Sequence, residues 1–536
     1  MNSSKDEKLL SKKLKAKVIR PLGYLERFQA AMQWLGFYCS SMVTCRYALP
    51  ATLSATLDQD PDAQAKLQQM VESAIAKILL DHPFLRVGVR AEYTRKPTFV
   101  ELENVDLARH IEWRRFDGTA DYEAEVLALI RAQLGVKVPQ PADAPSWRIH
   151  ALRTEGGGFL DVMFEWGHSQ TDGMSAKIFH EELLRNLNGG PAVEELKGRV
   201  LAIPSSKRRD LLPPLDALVR FPVSPGYAVA TLWEQLHLPG FTLDSKADLS
   251  AAWAPIRTLP YVARYRHFSI DNGALQNILA ACRKHNTTLT GLIHALAHVS
   301  LATRLSAAQA PGFLSSTVVN LRPLMCAPET KTKVLKAVDE DPNRMMGNLL
   351  TSVDHEFSVD WVAKVRAAGT PQGARSGGEE GQESKSGSDN KKRIVGLKPL
   401  IWEAATSVRA VLQKRLDSGT RDDLMGLMRF IPDFRAMLRD WAKEPRRHTV
   451  AVTNLGVIDG APSENKSVNA DGKWNIERAV FSISPEAHGA VLTFCPMAVK
   501  GGDLYMSCDW QDCAVDATLA EGVVADLESW LRVFGH

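Results

Sequence analysis

The residues whose types and spacing could do chemistry are His168 and Asp172, in the run Phe164-Glu165-Trp166-Gly167-His168-Ser169-Gln170-Thr171-Asp172-Gly173-Met174-Ser175. Imidazole changes charge near neutral pH, so a histidine fixed at the end of a rigid element can serve as a general base. Asp172-Gly173 is a turn signal, and glycine lets another segment or a ligand come close. Two further readings stay open on these residues alone. The histidine could be satisfied within the structure, or it could form a metal pair with Asp172, since i and i+4 share a helical face. The metal reading lacks third and fourth ligands at a zinc-like spacing.

Two elements must position this loop. Before it, Gly158 to Trp166 reads as a strand, with Phe159, Val162, Phe164 and Trp166 as its apolar and aromatic weight. After it, Met174, Ile178, Phe179, Leu183, Leu184 and Leu187 recur at helical spacing until Asn188-Gly189-Gly190 ends the run. His168 to Gly173 is therefore a tight strand-to-helix connection. The Gly-rich turn Glu155 to Gly158 joins the strand to an earlier one, Trp147 to Leu152, as a hairpin.

Further out, Glu26 to Trp34 reads as a helix and Tyr38 to Leu49 as a strand. Asp60 to Leu80 is an amphipathic helix stopped at His82-Pro83, because the residue before proline avoids the helical region. Strands are expected at Leu85 to Val89 and Thr98 to Leu102, and a helix at Asp121 to Leu134. Periodicity weakens from Gly190 to Leu259, where prolines cluster and Lys207-Arg208-Arg209 reads as a solvated surface run; this is a crossover between two domains. Strands then follow at Tyr261 to Ile270, Phe313 to Leu321, Thr449 to Leu455, Val480 to Ser484, Ala490 to Met497 and Asp503 to Asp509. Helices are expected at Gly273 to His285, Thr288 to Ala302, Leu400 to Leu427, Asp433 to Trp441 and Asp516 to Phe534. Gly369 to Lys392 holds no large apolar residue and reads as a disordered insertion. His488 falls in a turn and reads as a surface histidine.

At 536 residues, two domains are expected. Charged residues make up 24%, and 65 Lys+Arg against 62 Asp+Glu leave only +3, which argues against nucleic acid as a partner. The seven cysteines are scattered without a Cys-x-x-Cys pair, as for reduced thiols in a cytoplasmic protein. No apolar run is long enough for a spanning helix, and no signal-peptide core is evident. Residues 1–19 form a basic head that could touch an anionic membrane surface, such as that of the endoplasmic reticulum or a lipid droplet, or could be a frayed, solvated terminus. A monomer is expected.

His168-Ser-Gln-Thr-Asp172-Gly173 resembles the His-x-x-x-Asp-Gly signature of the coenzyme A-dependent acyltransferase superfamily, which includes the plant BAHD enzymes, chloramphenicol acetyltransferase and peptide-synthetase condensation domains. Asn320-Leu321-Arg322, Gly347-Asn348, His82-Pro83-Phe84-Leu85 and Trp147-Arg148 are similar to further family segments in the same order. There is no Asp-Phe-Gly-Trp-Gly motif, so the pattern is most like the fungal alcohol O-acetyltransferases. The resemblance spans residues 20–536 apart from the insertion.

It implies an α/β (α+β) fold of two chloramphenicol acetyltransferase-like domains, each a mixed sheet flanked by helices, with the active site in a channel between them. The domains would be 20–205 and 259–536, with 206–258 as linker and 369–392 as the insertion. It further implies transfer of an acetyl group from acetyl-CoA, a co-substrate and not a tightly bound cofactor, to a hydroxyl of an alcohol or fungal metabolite. His168 would be the general base in a ternary complex, and Asp172, Gly173 and Arg322 would hold its loop. An Asp at a helix start also suits a cap, and a guanidinium grips a carboxylate through two bonds. Thr453, Asn454 and Gly456, on a strand that crosses the interface in condensation-like relatives, are candidates for an oxyanion site or channel lining. Lys, Arg or helix N-termini would receive the coenzyme A phosphates. A carrier-protein thioester donor, amide formation, a non-catalytic coenzyme A-binding protein and a metal-dependent hydrolase are the competing possibilities.

Overall fold

The computed structural model describes residues 17–118, 121–189, 193–236, 249, 251–327, 330–338, 341–369, 387–461 and 472–535. Two mixed sheets carry the fold. The first has five strands in the order Asn475–Ile483, Ser41–Ala48, Phe159–Trp166, Trp147–Thr154 and Ile111–Phe116. Only its last pair is parallel. Helices Pro61–Asp81 and Gly173–Leu187 bury Leu67, Val71, Ile75, Ile78, Phe179 and Leu183 with the inward residues of this sheet.

The second sheet runs Ala263–Ile270, Leu504–Gln511, Leu492–Val499, His448–Val452, Phe313–Asn320, Leu350–Phe357, with Gly456–Ile458 also paired to Leu492–Val499. Its core is sealed by helices Asn272–Lys284, Leu289–Arg304, Gly387–Asp417 and Ala517–Phe534. Helix Leu289–Arg304 is apolar on most of its faces, which is why it is buried from Gly291 to Ala302. Mixed sheets flanked by helices are the architecture expected.

The sheets are not confined to consecutive stretches of chain. Strand Asn475–Ile483 comes from the C-terminal half yet pairs antiparallel with Ser41–Ala48 of the first sheet. Leu455, Ile458 and Trp474 likewise enter the first core. A cut at residue 259 therefore does not follow the sheets. Burial of Val480 and Phe481 shows the cause: the strand is apolar enough to close an edge that would otherwise stay unpaired.

Other expectations change. Val18 lies in a strand, Val18–Pro21, paired with Thr98–Glu101, so the end of the basic head is not frayed; residues 1–16 lie outside the described residues. Leu85 belongs to a 3-10 turn, Pro83–Arg86, because the proline fixes the turn before strand Val87–Arg90 begins. The crossover holds Leu196–Lys197 and Val200–Ala202, which form a small sheet with Asn104–Asp106. Lys207, Arg208 and Arg209 lie at the surface as expected, each with a hydrogen bond there, to Leu80 O, Ile203 O and Glu101 respectively. Of the insertion, 370–386 lies outside the described residues, whereas Gly387 onward is already helix. No helix among the described residues is long and apolar enough to cross a membrane.

Candidate active site

The loop around His168 is built from three parts of the chain. Strand Phe159–Trp166, the central one of its sheet, brings it to the end of the strands, its last seven residues buried. Asp172 then caps helix Gly173–Leu187: its Oδ1 accepts from Ser175 N at 2.8 Å, and Ser175 completes a capping box. His168 thus precedes the helix and does not share a helical face with Asp172, contrary to the metal-pair reading.

The second part is Arg322, which follows strand Phe313–Asn320. Its Nη1 donates to Asp172 Oδ2 at 2.8 Å and its Nη2 to Asp172 Oδ1 at 2.9 Å. Its Nε donates to Met345 O at 2.8 Å. Both side chains are buried, Arg322 fully. Leu349 N adds a bond to Asp172 Oδ2 at 3.0 Å. Burial would raise the Asp172 pKa, but the charge and hydrogen bonds of Arg322 outweigh it and hold the carboxyl below its ordinary value. With both oxygens engaged by Arg322, Ser175 and Leu349, Asp172 has no lone pair to offer a metal or a substrate.

The third part is Met345 to Leu349. Asn348 Nδ2 donates to the His168 carbonyl at 2.7 Å. Ser175 Oγ bonds both Gly347 N and Gly347 O, each at 3.1 Å. Gly347 sits at φ +148, and an added Cβ would meet the Phe84 ring at 3.1 Å, so glycine is required there twice over. Beside it His82 Nε2 meets Glu182 Oε2 at 2.6 Å, and Arg344 reaches the other Glu182 oxygen at 2.5 Å. These contacts explain why the His82-Pro83-Phe84 and Met346-Gly347-Asn348 segments belong to one site though roughly 260 residues apart.

His168 itself is half-buried. Burial lowers its pKa, partly opposed by the Asp172 charge, so the neutral imidazole is favoured. Nδ1 meets no partner beyond its own backbone. Tyr38 stands edge-on to the ring, 5.7 Å between centroids. The Tyr38 hydroxyl contacts Ser41, and its pKa is pushed well up by burial, so it stays a phenol. No sequence signal marks Tyr38; only pairing of Ser41–Ala48 with Phe159–Trp166 brings it to His168.

An added Cβ on Gly173 would lie 2.8 Å from Leu455 Cδ2 and 3.3 Å from Phe481 Cζ. This is the close approach of another segment that the glycine suggested. Leu455, not its neighbours, makes the contact. Thr453 N is spent on Phe494 O at 3.0 Å, and Asn454 Nδ2 donates to Thr290 Oγ1 at 3.2 Å. Asn454 Oδ1 accepts from Gly456 N at 2.7 Å, and Gly456 turns the chain at φ +71. The structure therefore gives the Thr453 amide and the Asn454 side chain structural partners, in strand Leu492–Val499, in helix Leu289–Arg304 and at Gly456.

His488 is not a surface residue. Its ring is boxed by Phe28, Phe37 and Trp441, the last at 5.3 Å, and burial lowers its pKa to about 3. A cavity of about 360 Å³ is lined by Trp253, Cys513 and Asp516 among others and includes no residue of the His168 loop.

The fold and the sequence around the His168 loop are similar to those of acyltransferases. Residues 108–316, which contain the loop, match the model of the alcohol acetyltransferase family. Probable alcohol acetyltransferase FCK4 of Fusarium pseudograminearum (strain CS3096) is 26% identical over 97% of this chain and 96% of its own. Probable alcohol acetyltransferase crmB of Aspergillus fumigatus is 22% identical over 92% and 95%. Among solved structures, the TRI3 trichothecene 15-O-acetyltransferase of Fusarium sporotrichioides superposes with a TM-score of 0.63 at 12% identity, covering 96% of this chain and 94% of that one. The first condensation domain of the calcium-dependent antibiotic synthetase gives 0.55, also at 12% identity, over 96% and 95%. These findings agree with the resemblance read from the sequence: over residues 108–316 this chain is similar to the alcohol acetyltransferase family, and along almost its whole length to two curated fungal probable alcohol acetyltransferases.

Proposed function

We propose that this chain moves an acetyl group from acetyl-CoA to the hydroxyl of a small alcohol or hydroxylated metabolite, with His168 as general base. An alcohol is a poor nucleophile at neutral pH, and a neutral imidazole within reach removes its proton as the oxygen attacks the thioester carbonyl. The imidazolium then gives that proton to the departing thiolate, whose thiol pKa, about 8.5, makes it a good leaving group. Asp172, Gly173 and Arg322 hold the loop and take no part in proton transfer. The two acyltransferase halves are 20–205 and 259–536, joined by 206–258, with strand Asn475–Ile483 lent back to the first sheet.

One observation supports this above the others. His168 keeps a lowered pKa and partial access while its carbonyl and the following cap are fixed by residues of the other half. Its Nδ1 has no side-chain partner, whereas both ring nitrogens of His180 are satisfied by Tyr47 and Val43. Purified protein should release free thiol from acetyl-CoA with at least one member of a panel of alcohols. His168→Ala should lower that turnover by about 10² to 10⁴ while leaving the melting transition in place. Near-normal transfer by a folded His168→Ala protein would dismiss the assignment.

A further inference from the structure

Past the end of strand Asn475–Ile483 the chain keeps company with the segment that carries Tyr38. Ser484 N donates to Ser40 O and Ala487 N to Phe37 O, each at 2.8 Å. Tyr261 Oη donates to Pro485 O at 2.5 Å. Glu486 is thus held level with Tyr38, whose ring edge is against His168. Its side chain folds over Gly489, where an added Cβ would lie 2.6 Å from Glu486 Oε2, so the carboxyl has a fixed place.

Glu486 is half-buried and has neither a hydrogen bond nor an ion pair among the described residues. Its oxygens are also absent from the sealed, unpartnered atoms of the interior, so they are not fully closed off. Several interior carboxyls are paired with a base: Asp172 with Arg322, Glu165 with Arg148, Glu182 with His82. An unpaired carboxyl in a desolvated position is costly, and its pKa is raised by burial accordingly. Such a group is retained where a ligand supplies the missing partner.

We propose that Glu486 is a specificity-determining residue for the acceptor, binding a second hydroxyl that neighbours the hydroxyl acylated at His168. The site would then select polyhydroxylated acceptors over monohydric ones. No bond is made or broken at Glu486; it accepts one hydrogen bond, or donates one when protonated. This deepens the proposed acyl transfer and rests on it.

Cyclohexanol and trans-cyclohexane-1,2-diol, with acetyl-CoA, serve as a matched pair. The wild-type protein should prefer the diol in kcat/KM by about tenfold, the worth of one hydrogen bond to a charged group. Glu486→Ala should erase most of that preference, and the isosteric Glu486→Gln, which keeps hydrogen-bonding capacity, should retain part of it. A wild-type ratio near one, a preference that survives Glu486→Ala, or a loss shared equally by both acceptors would overturn the role of Glu486 while leaving acyl transfer standing. No turnover of any alcohol by the wild-type protein would remove both.

Discussion

Arg322 ties five residues together: Asp172 and Ser175 at the start of helix Gly173–Leu187, Asn320 beside it, and the carbonyls of Met345 and Gly347. Removing one member of a buried pair leaves the other charged and unsolvated, at a cost of about 3–5 kcal/mol. Arg322→Met should therefore lower the melting temperature by several degrees and reduce turnover through misplacement of His168. Calorimetry and thiol release measured on one preparation check both effects; an unchanged melting point would mean the pair is dispensable. At His168 the sign of the pH dependence follows from its lowered pKa. The base works as neutral imidazole, and burial keeps it neutral below the ordinary value of 6.5. The acid limb of kcat/KM should fall below pH 6.5, and a limb above it would contradict the burial seen here.

Strand Phe159–Trp166 and helix Gly173–Leu187 set the height and direction of the loop, but the segment through Leu455 and the strand ending at Ile483 decide how tightly it is backed. Gly173 is the hinge of this arrangement because no room remains for a side chain against Leu455. Gly173→Ala should destabilise the protein by about 1–3 kcal/mol, the usual cost of overpacking. Leu455→Ala in the same chain should restore part of the loss, since it vacates that space. A double-mutant cycle in urea measures the coupling, and strict additivity would show that the two residues do not press on each other.

For the molecule as a whole, buried neutral histidines govern behaviour in acid. Burial lowers His298 and His488 to about 3 and His150, His180 and His355 to about 4. Their folded values lie below the unfolded value of 6.5. Between 6.5 and about 4 the unfolded chain therefore binds more protons than the folded one, and stability falls as pH falls. Glu182 adds to this lower down. Despite its burial, His82 and Arg344 depress it to about 2, so its contribution is present above 4.5 and is lost towards 2. The urea midpoint should drop steadily from pH 7 to pH 5; a flat profile would show that these rings are hydrated in the native state.

Much of this was legible in the chain itself. The alternation of Phe159 to Trp166, the helical spacing from Met174 to Leu187, and the Asp172-Gly173 turn specified the loop, because strand and helix periods are local properties. The choice of Arg322 as partner for Asp172 came from resemblance, and its two-bond grip is what guanidinium and carboxylate geometry dictates. Neighbours fixed by pairing over long separations had no such signature. Tyr38 reaches His168 only because Ser41 is in register with Trp166, and Glu486 reaches Tyr38 only because Ile483 is in register with Ser41. The buried box around His488 is likewise assembled from residues hundreds of positions apart. Sequence determined which elements form and which residue could act as a base. Tertiary structure alone decided what surrounds that base, since register and sheet order depend on which faces can be buried together once the chain has collapsed.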